Sequence, residues 1–190
     1  MCIRDSLGNV AIELGDFSAA RAHYEEALTI ARELGHRHAE TNLLGNLGLV
    51  AGMGDQLDAR AKYTEALRLA REHGFRREEA TSIGNLGDIA NNLGEYEEAR
   101  ARCEEALALS RELGDRRFEG AWIGVLGEIA YNLTDFDLAR TRAEEALAIS
   151  RQLGERTYSP VLRAAELPTV TVPWWGDRQL RYELPPGKRK

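Results

Sequence analysis

Between Ile83 and Leu93 the apolar positions recur at spacings of three and four. Ile83, Leu86, Gly87 and Ala90 share one face of a helix, and Ile89 and Leu93 widen it. Gly94 stops that helix, because glycine takes the left-handed conformation of a helix C-terminus without a steric penalty. Glu95 and Tyr96 open a second helix whose buried stripe is Ala99, Cys103, Ala106, Leu107 and Ser110, and Gly114 ends it. The pattern then returns along the chain. Its Glu-Ala-Leu triplet stands at Glu26-Ala27-Leu28, Glu65-Ala66-Leu67, Glu105-Ala106-Leu107 and Glu145-Ala146-Leu147, at intervals of 39, 40 and 40 residues. Neither helix of such a unit hides its apolar face alone, so each pair must stack on the next.

A Leu-Gly pair, a small residue after it, a Gly-Asp/Glu-aromatic turn, then Ala and Glu-Ala-Leu resembles the tetratricopeptide repeat. The first copy shows this in Leu7-Gly8, Ala11, Gly15-Asp16-Phe17, Ala20 and Ala27, and the third in Leu86-Gly87, Ala90, Gly94-Glu95-Tyr96, Ala99 and Ala106. The fourth has Leu126-Gly127, Ala130, Phe136, Ala139 and Ala146. The family's usual proline after the second helix is absent, and Arg111-Glu112-Leu113-Gly114 lengthens that helix instead. That variant is similar to the longer repeats of bacterial multidomain regulators and spindle-orientation adaptors. The resemblance implies an all-α fold, a right-handed superhelical solenoid of antiparallel helix pairs. It covers the four copies, about residues 7–37, 38–76, 77–116 and 117–156.

The second copy departs from the pattern. It is one residue shorter between Gly48 and Gly54, and Gln56 stands where the others carry an aromatic. Gly52 and Gly54 dilute the helix at about 1 kcal/mol each against alanine. Its first helix is expected to end early, its turn to be the loosest of the four, and Leu57 to swing in for the missing ring.

The two ends read differently from the repeats. Residues 1–6 resemble translated adapter sequence and are expected to lie outside the fold; the alternative is that Ile3 to Leu14 is a genuine short first helix. All five prolines fall between Pro160 and Pro186. Residues 157–190 are therefore read as a partial fifth helix, Tyr158 to Leu167, followed by an irregular Pro-rich tail in which Thr169–Val172 is extended in character. That tail is a cap, a linker to a further domain, or off-frame sequence.

A formal charge of −6 argues against general nucleic-acid or anionic-membrane binding. No apolar run approaches the ~20 residues that span a bilayer, and the expected compartment is a reducing cytoplasm. Two cysteines give no disulfide framework, and Cys103 occupies the position of Tyr24 and Tyr63, which suits a small buried thiol. Arg32, Arg71, Arg111 and Arg151 recur one per second helix, and cations at a helix C-terminus offset its dipole. Arg21/Glu25, Arg100/Glu104, Arg140/Glu144 and Glu98/Arg102 read as solvated pairs at a spacing of four.

Motifs for catalysis are lacking. The sequence holds no phosphate loop and no His-Glu-x-x-His, and His36 and His38 have no ligand cluster around them, so no cofactor or metal is expected and the chain reads as non-catalytic. What remains is a surface. In the family that the repeats resemble, the first helices of successive units line a concave groove that takes a peptide. The candidate line carries Asn9 and Glu13, then Asn42, Asn46 and Leu49, then Thr81, Asn85, Asp88 and Asn92, then Val125, Glu128 and Asn132. An asparagine amide can bond both N–H and C=O of an extended chain. The line has no Lys or Arg from residue 7 onward, so a neutral or basic peptide or protein is the expected partner. Two roles follow: a scaffold that binds a partner peptide, or a sensor or autoinhibitory arm contacting other domains of a longer signalling ATPase or transcriptional regulator.

Overall fold

Glycines at the ends of the apolar stripes divide the chain into short helices joined by tight turns. The computed structural model describes residues 3–154, 169–173 and 179–183. Eight helices follow in order: α1 (Ile3–Glu13), α2 (Phe17–Glu33), α3 (Arg37–Gly52), α4 (Gln56–His73), α5 (Arg76–Asn92), α6 (Tyr96–Glu112), α7 (Arg116–Asn132) and α8 (Phe136–Gln152). Within the second pair Gly48 faces the Tyr63 ring while Gly52, one turn on, faces Ala59, one turn back, so α3 and α4 run antiparallel. Residues 3–154 fold as a series of α-helix pairs, as the repeat implies.

Ile3–Ser6 form the start of α1, and the partial fifth helix expected over 158–167 lies outside the described residues. Thr169–Val172 belong to a strand rather than to an irregular tail. Strand β1 (Thr169–Pro173) pairs antiparallel with β2 (Gln179–Glu183), with Val170 opposite Tyr182 and Thr171 opposite Arg181. Threonine and valine favour the extended backbone.

Two compact units divide within α6, between Leu109 and Ser110. In the first, Tyr24, Ala27, Leu28 and Ala31 of α2 form one apolar cluster with Leu43, Leu44, Leu47 and Val50 of α3 and with Ala66 and Leu69 of α4. Helix α3 is thus covered by its own partner and by the pair before it. Glycine at the Leu-Gly step permits this closeness: a Cβ on Gly48 would lie 2.8 Å from the Tyr63 ring. In the third pair Cys103 takes the ring's place and is fully buried beneath Gly87. In the second unit Trp122 is buried, stacks on Phe118 at 5.7 Å, and shares its unit with buried Ala143, Ala146 and Ile149.

Helix ends follow a common plan. Asp16, Asp115 and Asp135 accept from the N–H three residues on, satisfying donors that the helix leaves open. At the C-terminus of α5, Gly94 has φ 81° and the Glu95 N–H reaches back to the Ala90 carbonyl at 2.8 Å. Thr134 holds the same place after α7 with φ 63°. The second repeat differs as its shortness demands. Helix α3 stops at Gly52, Gly54 is not left-handed, and the Asp55 N–H bonds Ala51 O at 2.7 Å, a tighter return. Leu57 does not replace the missing ring and is 70% exposed. The Gln56 amide does instead, donating to the Gly52 carbonyl at 2.8 Å.

The recurring arginines do more than offset helix dipoles. Arg32 Nε donates to Glu40 at 3.0 Å and its other arm to Glu65 at 2.8 Å, while Arg37 bonds the second Glu40 oxygen at 2.7 Å. Arg71 repeats this with Glu79 and Glu105, both at 3.1 Å, with Arg76 on Glu79. Arg111 does so with Glu119 at 2.9 Å and Glu145 at 3.2 Å, with Arg116 on Glu119. Each guanidinium therefore ties the end of one pair to both helices of the next. Of the pairs read at a spacing of four, Glu98–Arg102 forms at 2.8 Å; Arg21 instead reaches Asp58 and Arg100 reaches Glu97.

Candidate functional site

The candidate line falls on the first helices: Asn9 and Glu13 on α1, Asn42 and Asn46 on α3, Asn85, Asp88 and Asn92 on α5, and Glu128 and Asn132 on α7. Asn9, Glu13, Asn42, Asn92 and Asn132 are exposed, and Asn46, Asn85, Asp88 and Glu128 are half-buried. Two further positions on this line behave differently. Val125 is buried and is not part of the surface, while Leu49 is half-buried.

Within the first unit these side chains touch one another's surroundings. The Asn46 amide donates to Asp5 at 3.4 Å, which links α3 to α1 along the line. Asn42 lies 3.4 Å from His38 Nδ1, and His38 Nε2 lies 2.9 Å from Glu78 on α5. Tyr24 is buried, yet its hydroxyl donates to Asn9 Oδ1 at 2.7 Å. Burial pushes its pKa up to about 12, and the charge of Asp5 adds to the rise. Tyr63 is raised further by burial and then by Asp88. The second-helix tyrosines of the first two repeats thus bring their hydroxyls up to this face. Sequence reading placed them in the core alone; the hint was a polar tip on a ring where the later repeats carry Cys103 and Ala143.

The line also reaches further back than the sequence reading took it, by one turn to His38 on α3 and Arg77 on α5 and by two turns to Arg117 on α7. The Arg77 carbonyl accepts from Thr81 at 2.9 Å. In the first unit the face is therefore graded: cationic or titratable side chains where the first helices begin, amides in the middle, and Glu13, Asp88 and Asn92 toward their ends. Its chemistry is that of hydrogen bonding and charge. Among the described residues no three His, Cys, Asp or Glu side chains gather to hold a metal ion, and no helix is long and apolar enough to cross a membrane.

Comparison with known proteins agrees with this architecture. No curated protein matches the chain. Among solved structures, the crystal structure of BtubC (BKLC) from P. vanneervenii is 27% identical, with a TM-score of 0.69 over 86% of this chain and 72% of that one. A Rap protein complexed with competence and sporulation factor gives 17% identity and a TM-score of 0.73, over 78% of this chain and 42% of that one. A signal-transduction ATPase with numerous domains and a tetratricopeptide repeat sensor, from Pyrococcus horikoshii, gives 18% and 0.66, over 86% of this chain. This chain spans only 24% of that ATPase. Residues 5–166 match the family described as the MalT-like TPR region, a span that runs from within α1 to beyond α8, and the chain belongs to that family.

Proposed function

We propose that the face formed by the first helices binds a neutral or basic peptide segment of a partner protein, without catalysis. The observation that carries this is the run of amides flanked by acids: Asn42, Asn46, Asn85 and Asn92 can grip a backbone, and Glu13 and Asp88 favour a cation beside it. Glu128 and Asn132 on α7 repeat the combination in the second unit. A peptide ending in carboxylates would meet like charge at Glu13, Asp88 and Glu128, with Arg77 and Arg117 only where the helices begin. The test is a peptide array probed with the whole chain. Neutral and Lys/Arg-containing peptides are expected to be captured, and Asp88→Lys should weaken the basic ones about fivefold, the scale of one exposed charge pair. Preferential capture of acidic C-terminal tails would overturn the reading.

A second reading has its own support, the family itself and the likeness to a repeat that serves as the sensor of an ATPase. In that reading the same face receives another domain of a longer chain, as a sensor or autoinhibitory arm. A phosphate-binding or helix-turn-helix domain in the same reading frame decides for it.

A further inference from the structure

The apolar stripe of α1 is uncovered on one side. Leu7 is 45% exposed and Val10 50%, whereas their equivalents Leu47 and Val50 are 2% and 6% exposed, and Leu86 and Ile89 are both 4%. Leu47 and Val50 are hidden because they share a cluster with Tyr24, Leu28 and Ala31 of the preceding helix pair. Charge follows the same division. At each internal joint an arginine near the end of one second helix reaches the Glu-Ala-Leu glutamate of the next: Arg32 to Glu65, Arg71 to Glu105, Arg111 to Glu145. The equivalent glutamate of the first pair is Glu26, whose side chain is 56% exposed and pairs with Arg4 of its own helix pair.

We infer that the edge of α1 and α2 bearing Leu7, Val10 and Glu26 is a docking face for one more helix pair of this same repeat chemistry. The occupant lays the apolar side of its second helix on Leu7 and Val10 and offers an arginine, near that helix's end, to Glu26. The argument is continuity with an interface the chain already uses, since the same apolar pair and the same glutamate are satisfied in this way at the joints within it. Leu14, 79% exposed, extends the apolar edge toward the end of α1.

The test extends the full chain at its front with a duplicate of residues 37–81, spliced so that Ile3 follows in the place of Ser82. The duplicate's Arg71 then stands where it can meet Glu26. Amide hydrogen exchange within α1 is expected to slow about tenfold or more. The gain should shrink with Arg71→Glu in the duplicate, and vanish with Leu7→Glu and Val10→Glu together. Those two changes should leave the unextended chain folded, because both side chains are already half in solvent; its circular dichroism and melting temperature check this. A duplicate that folds as helix yet leaves α1 exchange unaltered overturns the inference. So does reversible dimerisation of the unextended chain, seen by sedimentation and abolished by Leu7→Glu, because the face would then belong to a second copy.

Discussion

At Gly87 a methyl group would lie 2.5 Å from Cys103 Sγ and 3.1 Å from the Ala99 carbonyl oxygen, whereas at Gly45 it would meet nothing within 4 Å. Both residues sit inside helices, so alanine gains about 1 kcal/mol of helix propensity at either place. At Gly45 that gain stands alone, and Gly45→Ala should stabilise the protein by about that amount. At Gly87 the contact is partly with backbone, which cannot swing aside, and overpacking costs about 1–3 kcal/mol. Gly87→Ala should therefore destabilise. Urea denaturation of the two variants checks the pair, and a shift of the same sign in both would show that helix propensity, not closeness of packing, governs these positions. The sequence places Gly87 on the apolar face of its helix. It could not tell Gly45 from Gly87, because that depends on what lies opposite.

Helices were legible because their two signals are local: apolar residues at three and four, and glycine at the end. Turns were less so. Gln56 was visible as the missing aromatic, but its replacement of a ring by a hydrogen bond to the Gly52 carbonyl depends on the path of a shortened turn. Leu57 stayed in solvent because that turn had already been closed without it. Thr134 offers a test at the same level of organisation. It holds φ 63° where α5 is followed by Gly94, and a β-branched residue is strained in that region. Thr134→Gly should raise stability by about 1 kcal/mol, less than the full relief because glycine loses more freedom on folding. Thermal unfolding measures it, and a lowered melting temperature would mean that the threonine side chain makes a contact worth more than the strain.

Across the whole molecule the arginine–glutamate ties act as one recurring joint, and they were the least legible feature of all. Each joins residues 8 and then 33 or 34 positions apart, so no helical period reveals them. The candidate face was legible as a line along each helix, while the tyrosine hydroxyls beneath it were not. Burial opposes the charge on Glu40, but hydrogen bonds from Arg37 and Arg32 outweigh it and hold its carboxyl below the ordinary value of 4.5; Glu119 is lowered in the same way by Arg111 and Arg116. A depressed carboxylate contributes stability that is complete above the unfolded value and is lost as pH falls through the folded one. Glu40→Gln should thus cost about 1 kcal/mol at pH 7, discounted for the half-exposed arginines, and the gap from the parent should close below pH 4.5. A gap that stays constant down to pH 3 would rule out charge as its origin. The offsets of the joint carry an evolutionary consequence. The residue that the second repeat lacks falls between Glu40 and Glu65, which shortens one offset to 33 and leaves every tie intact. Unequal crossing-over between two copies of the gene would add or remove a whole period and still deliver each arginine to its glutamates, so the array can change length over generations while its seams stay matched.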